Sequence, residues 1–100
     1  MKTIISDLNK IFDSRIRLGI MAALSVNDYL DFTSLKELLD ITDGNLASHL
    51  KALEKYELIE IRKQFIGRKP NTSYSISQTG KEMFHQQLNA LERFIHPLQI

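Results

Sequence analysis

Residues Thr42 to Glu57 read TDGNLASHLKALEKYE, and the rest of the chain is organised around them. Thr42 has the side chain of a helix N-cap, because its hydroxyl can accept from a backbone N–H that the first helical turn leaves unpaired. Asp43 puts a negative charge at the positive end of the helix dipole. At about 100° per residue, Leu46, Leu50, Leu53 and Glu57 fall within roughly 60° of one another. The three leucines must therefore face a core. The opposite side carries Gly44, Ser48, Lys51 and Lys55, with Asn45 and Ala52 on one flank. That side offers hydrogen-bonding groups, two cations and little bulk, which suits a DNA major groove about 12 Å wide. The plainer reading is a solvated helix face.

Upstream, Ile4, Leu8, Ile11 and Phe12 recur at helical spacing, so a helix is expected over about 4–12. Asp13 and Ser14 read as a break, with Ser14 capping a second helix over 15–25. Ile16, Ile20, Ala23 and Leu24 line one side of that helix, and Leu18, Met21 and Ala22 add apolar surface elsewhere. Arg15 and Arg17 are read as partners of nearby carboxylates rather than of phosphate. Tyr29 to Phe32 is too short for more than a turn or a single strand. Thr33 or Ser34 begins the next helix, read over 34–40 with Leu35, Leu38 and Leu39 inward, and Ser34 and Glu37 have the spacing of a capping box. Two short helices over a tight turn, the second being 43–56 with a polar outer face, make a helix-turn-helix. The turn has no glycine, so Ile41 and Thr42 are expected to supply the bend.

After Tyr56 the period changes from helical to alternating. Ile59, Ile61, Lys63 and Phe65 alternate with Leu58, Glu60, Arg62 and Gln64, predicting a strand over 58–65. Gly67, Pro70 and Asn71 mark a turn around Arg68 and Lys69, and Thr72 to Ile76 returns as a second strand. The result is a β-hairpin with a basic tip. Ser77 then caps a last helix over 78–95, with Phe84, Leu88, Leu91 and Ile95 on its main stripe. Met83, Ala90, Phe94 and Leu98 form an offset stripe. That excess of apolar surface suggests a subunit interface made by Ile4, Leu8, Ile11, Leu88, Leu91, Phe94, Ile95 and Leu98. The alternative is that the first and last helices pack on each other within one chain, and the two readings are compatible.

Composition narrows the class. The 100 residues are expected to form a single α+β, mostly α domain over 1–100, burying somewhat over ~60% of their unfolded surface. No apolar run approaches the ~20 residues of a membrane span, so no membrane partner is expected. The N-terminus does not read as a secretory signal. With no cysteine there is no disulfide framework, thiolate zinc site or cysteine nucleophile, and a cytoplasmic location fits. The net charge of +1 hides an asymmetry. Residues 45–81 hold seven Lys/Arg against three Glu, whereas residues 1–44 hold five against seven acids. Cationic charge gathered on the central helix and the hairpin points to a polyanion partner.

Taken in order, these pieces resemble the winged helix-turn-helix transcriptional regulators of the MarR/ArsR type, in particular small stand-alone prokaryotic ones. The resemblance runs from Leu8 to about Phe94. It is carried by Ser14-Arg15-Ile16-Arg17-Leu18, by Asp31-Phe32-Thr33, and most specifically by Thr42-Asp43-Gly44-Asn45-Leu46 with His49-Leu50 and Leu53-Glu54. Gly67-Arg68-Lys69-Pro70 with Thr72 and Tyr74, and Ser77 with Gly80, complete the set. The resemblance implies a two-stranded β-hairpin wing, N- and C-terminal helices packing together, and a homodimer that binds double-stranded DNA as a regulator, read here as a repressor. It implies no enzymatic activity and no cofactor. On that basis Asn45, Ser48 and Lys51 are groove candidates, and Lys55, Arg68 and Lys69 are phosphate or minor-groove candidates. His49, at the edge of the leucine stripe, keeps two readings: a partly buried histidine bonded to backbone, or a base contact.

One departure concerns metals. ArsR-type relatives often sense metal through a cysteine pair that this chain lacks. His85 and His96 are eleven residues apart, about 16 Å along one helix, too far to share an ion within a chain. No metal site is assigned, and a site that His85 and His96 would share between two subunits is the alternative left open. Enzyme readings have no Gly-rich phosphate loop, HExxH-like pair or partnered nucleophile to stand on. The rival is a winged helix used for protein–protein contact without DNA binding. Charge separates the two, because an interaction module has no need of Lys51, Lys55, Arg68 and Lys69 on one side.

Overall fold

The computed structural model describes residues 8–96. It contains α1 (Arg15–Ser25), β1 (Leu30–Asp31), α2 (Phe32–Leu39), α3 (Asp43–Lys55), β2 (Ile59–Ile66), β3 (Lys69–Ile76) and α4 (Gln78–Ile95). The strands form one antiparallel sheet in the order β1-β3-β2. The expected winged helix-turn-helix is therefore present, with β1 added to the hairpin as a short third strand.

Three predicted caps form as read from the sequence. Ser14 Oγ accepts from the Arg17 N–H, Thr42 Oγ1 from Asn45, and Ser77 Oγ from Gly80. The α2 cap differs. Asp31, not Ser34, accepts from the Ser34 N–H at 2.8 Å, so α2 starts at Phe32 and Ser34 lies inside it. That bond, foremost among its causes, holds the Asp31 carboxyl below the usual range. Before α1 the expected helix is not continuous. Asn9 is extended and its Oδ1 accepts from the Ile11 N–H, which reduces Lys10–Phe12 to a 3-10 turn. Ile4 at the front of that helix, and Leu98 beyond α4, lie outside the described residues.

The core is built by the leucine stripe. Leu46, Leu50 and Leu53 of α3 are buried in one cluster with Ile20, Met21 and Leu24 of α1, Leu35 of α2, Leu58 just before β2, and Ile59 and Tyr74 of the sheet. Each such side chain contributes about 1.5–3 kcal/mol on leaving water. Leu38 does not join them and is 62% exposed, because the buried side of α2 runs through Leu35 and Leu39 and Leu38 lies about 100° around the helix from Leu39. Ala22 is exposed as well. The N-terminal segment does pack on α4. Phe12 and Phe84 meet edge to face at 6.0 Å, and the Asn9 N–H donates to Oε1 of buried Gln87.

Among the described residues, two other than glycine take left-handed backbone, and each ends a helix. Asp40, at φ 51°, turns the backbone at the helix-turn-helix bend, and it is joined there by Ile41, packed against the core, and Thr42, capping α3, as expected. Glu57, at φ 60°, follows α3. There the Leu58 N–H donates to Leu53 O and the Glu57 N–H to Glu54 O, the paired bonds of a Schellman ending. Glu57 therefore leaves the leucine stripe, and α3 stops at Lys55 rather than at residue 56.

Candidate nucleic-acid interface

Burial of the leucines fixes which side of α3 is bare. Asn45, Ser48, Lys51 and Lys55 are all exposed. Among the described residues their side chains form no hydrogen bond or ion pair. A Cβ at Gly44 would meet nothing within 4 Å, so the fold does not demand a glycine there and the space in front of the helix N-terminus is open. Asp43, which would oppose an anion at that end, is paired with Lys36 Nζ of α2 at 2.8 Å. Both groups are solvated, so the pair adds little stability, but it offsets the local negative charge. Beside this end a cleft of about 660 Å³ runs between Arg15, Ile16 and the turn residues Leu39 to Thr42.

His49 is placed differently from its neighbours. It is half-buried, and its Nδ1 accepts from Arg17 Nε of α1 at 3.1 Å. The histidine is thus held by a side chain rather than by backbone, and Arg17 is engaged by imidazole rather than by a carboxylate. Burial, and then the Arg17 charge, lower the His49 pKa from its ordinary value. Neither partner can be found from local spacing, since the two lie 32 residues apart on different helices. The Lys36–Asp43 pair, though only seven residues apart, also joins two helices and is hidden from helical spacing.

The second cationic patch is on the hairpin. Ile66 pairs with Lys69, leaving Gly67 and Arg68 as a two-residue loop. Gly67 has φ 65°, the positive value needed at the first central position of a type II′ turn. The loop is tighter than expected, and Pro70 and Asn71 belong to β3. Proline is accommodated because Ile66–Lys69, closing the loop, is the hydrogen-bonded kind of pair. Phe65–Pro70 is then the kind that exchanges no bonds. Arg62, Lys63, Arg68 and Lys69 are all exposed on this hairpin, whose only carboxylate is Glu60.

Of the residues expected at a subunit seam, Leu88, Leu91, Phe94 and Ile95 are exposed along α4. Leu8 and Ile11 are half-buried, Ile11 against the core. The inward side of α4 is instead Gly80, Phe84, Gln87 and Ala90, so the stripe centred on Leu88 and Leu91 points outward. His85 is exposed, and His96 Nε2 lies 2.9 Å from Glu92 Oε1. Among the described residues no three metal-ligating side chains gather, and no helix is long and apolar enough to cross a membrane.

A helix-turn-helix whose second helix shows a bare, small and cationic face, followed by a basic antiparallel hairpin, defines a winged-helix regulator domain. The chain belongs to the winged helix DNA-binding domain family, whose model matches residues 16–95. It is 41% identical over 75 residues, 75% of this chain and 82% of the other, to the uncharacterized protein MJ0432 of Methanocaldococcus jannaschii. Among solved structures it is similar to a transcriptional regulator homologue from Pyrococcus horikoshii OT3, with a TM-score of 0.78 and 33% identity over 94% of this chain and 98% of that one. A mutant MarR from E. coli superposes with a TM-score of 0.76 at 13% identity, covering 93% and 68% of the two chains, a likeness of fold. The domain is thus a DNA-binding regulator of MarR-like fold, a class without enzymatic chemistry.

Proposed function

We propose that the chain acts as one domain and as a homodimeric, sequence-specific repressor of transcription in a prokaryotic cytoplasm. In this reading α3 lies in the major groove with Asn45, Ser48 and Lys51 toward base edges. Lys55 and the wing residues Arg68 and Lys69 neutralise phosphate or reach the adjacent minor groove. Thr42 caps α3, and His49 orients it from behind rather than touching a base. Leu88, Leu91, Phe94 and Ile95 form the seam of the dimer, with Leu8 and Ile11 beside them.

The observation that carries the proposal is the bare face of α3. Its polar and cationic side chains are exposed and unpaired while its leucines are buried in the core. An apolar docking face on α3 would instead have favoured a protein partner. Two-fold symmetry requires half-sites about one helical turn, ~34–36 Å, or a multiple of it apart. Selection of bound duplexes from a random pool, at stated salt, tests this directly. A pseudo-palindromic consensus with that spacing is expected, and retention of no sequence above background would refute the reading.

A further inference from the structure

The wing tip carries apolar surface that neither the core nor the phosphate contacts use. Phe65 is 74% exposed and Ile66 61%, and Pro70 is exposed opposite Phe65. Alternation puts Ile59, Ile61, Lys63 and Phe65 on one side of β2. At the base of the hairpin that side is core, with Ile59 and Tyr74 buried. At the tip it continues past the end of the domain with nothing over it. The fold gains nothing from an aromatic ring there, since a threonine would serve the strand as well.

The surroundings say what kind of partner suits this ring. Arg62, Lys63, Arg68 and Lys69 flank it, all exposed and, among the described residues, unpaired. Glu60, the single carboxylate of the hairpin, sits near its base. An apolar tip inside a ring of cations is complementary to a surface that is anionic outside and apolar within. A duplex has that arrangement, with phosphates outside and stacked bases at the floor of the groove.

We propose that Phe65, backed by the rigid ring of Pro70, enters the minor groove as a wedge against a base step, so that the protein bends the DNA it binds. The inference rests on the DNA-binding reading above. Apolar side chains inserted in this way partly unstack a step and kink the duplex by about 20–90° toward the major groove. The distortion is least costly at flexible pyrimidine–purine steps. Sequence preference should therefore extend to TA or CA steps under the wing, beyond the bases that α3 faces.

The test uses duplexes the protein itself selects from a random pool, labelled at both ends for energy transfer and carrying 2-aminopurine under the wing. Wild type should shorten the end-to-end distance and raise 2-aminopurine emission. Phe65→Thr should bind with an unchanged salt slope but leave the duplex straight, Phe65→Leu should bend it partially, and Ile66→Thr, on the other side of the strand, should bend it fully. A straight wild-type complex, or a Phe65→Thr complex bent like wild type, overturns the wedge while leaving DNA binding intact. Dissociation of Phe65→Thr into monomers in sedimentation would make the ring a protein contact and overturn it equally. If no duplex is bound by wild type, the wedge falls together with the DNA-binding reading.

Discussion

Arg17 Nε donates to His49 Nδ1 across 3.1 Å, so that α1 holds α3 by a bond between side chains. The bond requires an unprotonated Nδ1, which places the imidazole hydrogen on Nε2. Protonation would remove the acceptor and leave two cations in contact. Burial and the Arg17 charge accordingly keep the His49 pKa below its ordinary value. The folded protein then takes up this proton less readily than the unfolded chain does. The stabilisation is complete above the unfolded value, about 6.5, and is lost as pH falls from there through the folded pKa.

Urea unfolding followed from pH 8 downward should therefore show the midpoint dropping below about pH 6.5. His49→Gln keeps an acceptor for Arg17 but does not titrate, and it should flatten that part of the profile. Asp31 does not confuse the result, because its lowered carboxyl matters only at more acid pH. Identical profiles for wild type and variant would remove the pair as the cause.

Gly80 is where α4 meets the chain that leaves α3, at Leu58. A Cβ on it would lie 2.0 Å from the Leu58 carbonyl oxygen, which also accepts from the Ser77 N–H. Helix propensity alone favours alanine over glycine by about 1 kcal/mol. The clash is with backbone, which cannot swing aside, so the overpacking cost dominates. Gly80→Ala should destabilise by about 3 kcal/mol, measured by denaturant titration. A neutral or stabilised variant would show that α4 can shift there at little cost.

Asp40 and Glu57 present the opposite case, since both hold φ values that glycine adopts freely. Glutamate tolerates the left-handed region less well than aspartate does. Glu57→Gly should therefore gain more than Asp40→Gly, up to about 1 kcal/mol after the added freedom of the unfolded chain is counted. In a domain of this size that raises Tm by about 4–8 °C. A lower Tm in both variants would mean that these side chains hold their turns by some other contact.

The same two residues mark the limit of what the sequence discloses. Periodicity places α1, α3, α4 and the hairpin because each depends on neighbours three, four or two positions away. Thr42, Ser14 and Ser77 are legible as caps for the same reason. The helix-turn-helix bend is not, because aspartate in a left-handed turn leaves no mark as plain as glycine does. Asp31 is hard to read as the α2 cap because Ser34–Glu37 offers a competing one three residues on. The exposure of Asn45, Ser48, Lys51 and Lys55 follows from the leucine stripe. What turns His49 inward is Arg17, which only the tertiary fold brings near.

The outward stripe of α4 leads to a prediction about assembly. Leu88 is 47% exposed and Ile95 51%, with Leu91 and Phe94 between them. The Cα radius of gyration, 15.4 Å, exceeds the about 13 Å expected for a compact chain of this length. A contiguous exposed apolar stripe of this kind marks an interaction surface that a second copy can cover. Leu91→Glu, with a charge at the centre of the stripe, should give monomers in light scattering while retaining its helical circular dichroism. Wild-type monomers at high concentration would exclude this seam.

Wing and recognition helix can finally be separated by what each does to affinity. Phosphate contacts carry charge but no sequence, whereas base contacts carry sequence and little salt dependence. Arg68 and Lys69 are exposed at the hairpin turn, and Asn45 stands in the first turn of α3. The double variant Arg68→Ala/Lys69→Ala should reduce the log–log salt slope by roughly 1 for each phosphate left without its cation, weakening all duplexes alike. Asn45→Ala should leave the slope unchanged and lose about 1–3 kcal/mol of discrimination at one base pair. Titrations of selected and scrambled duplexes at several salt concentrations distinguish the two. If the slope stays fixed in the double variant, the wing does not touch phosphate. If Asn45→Ala keeps its sequence preference, the N-terminal end of α3 does not read bases.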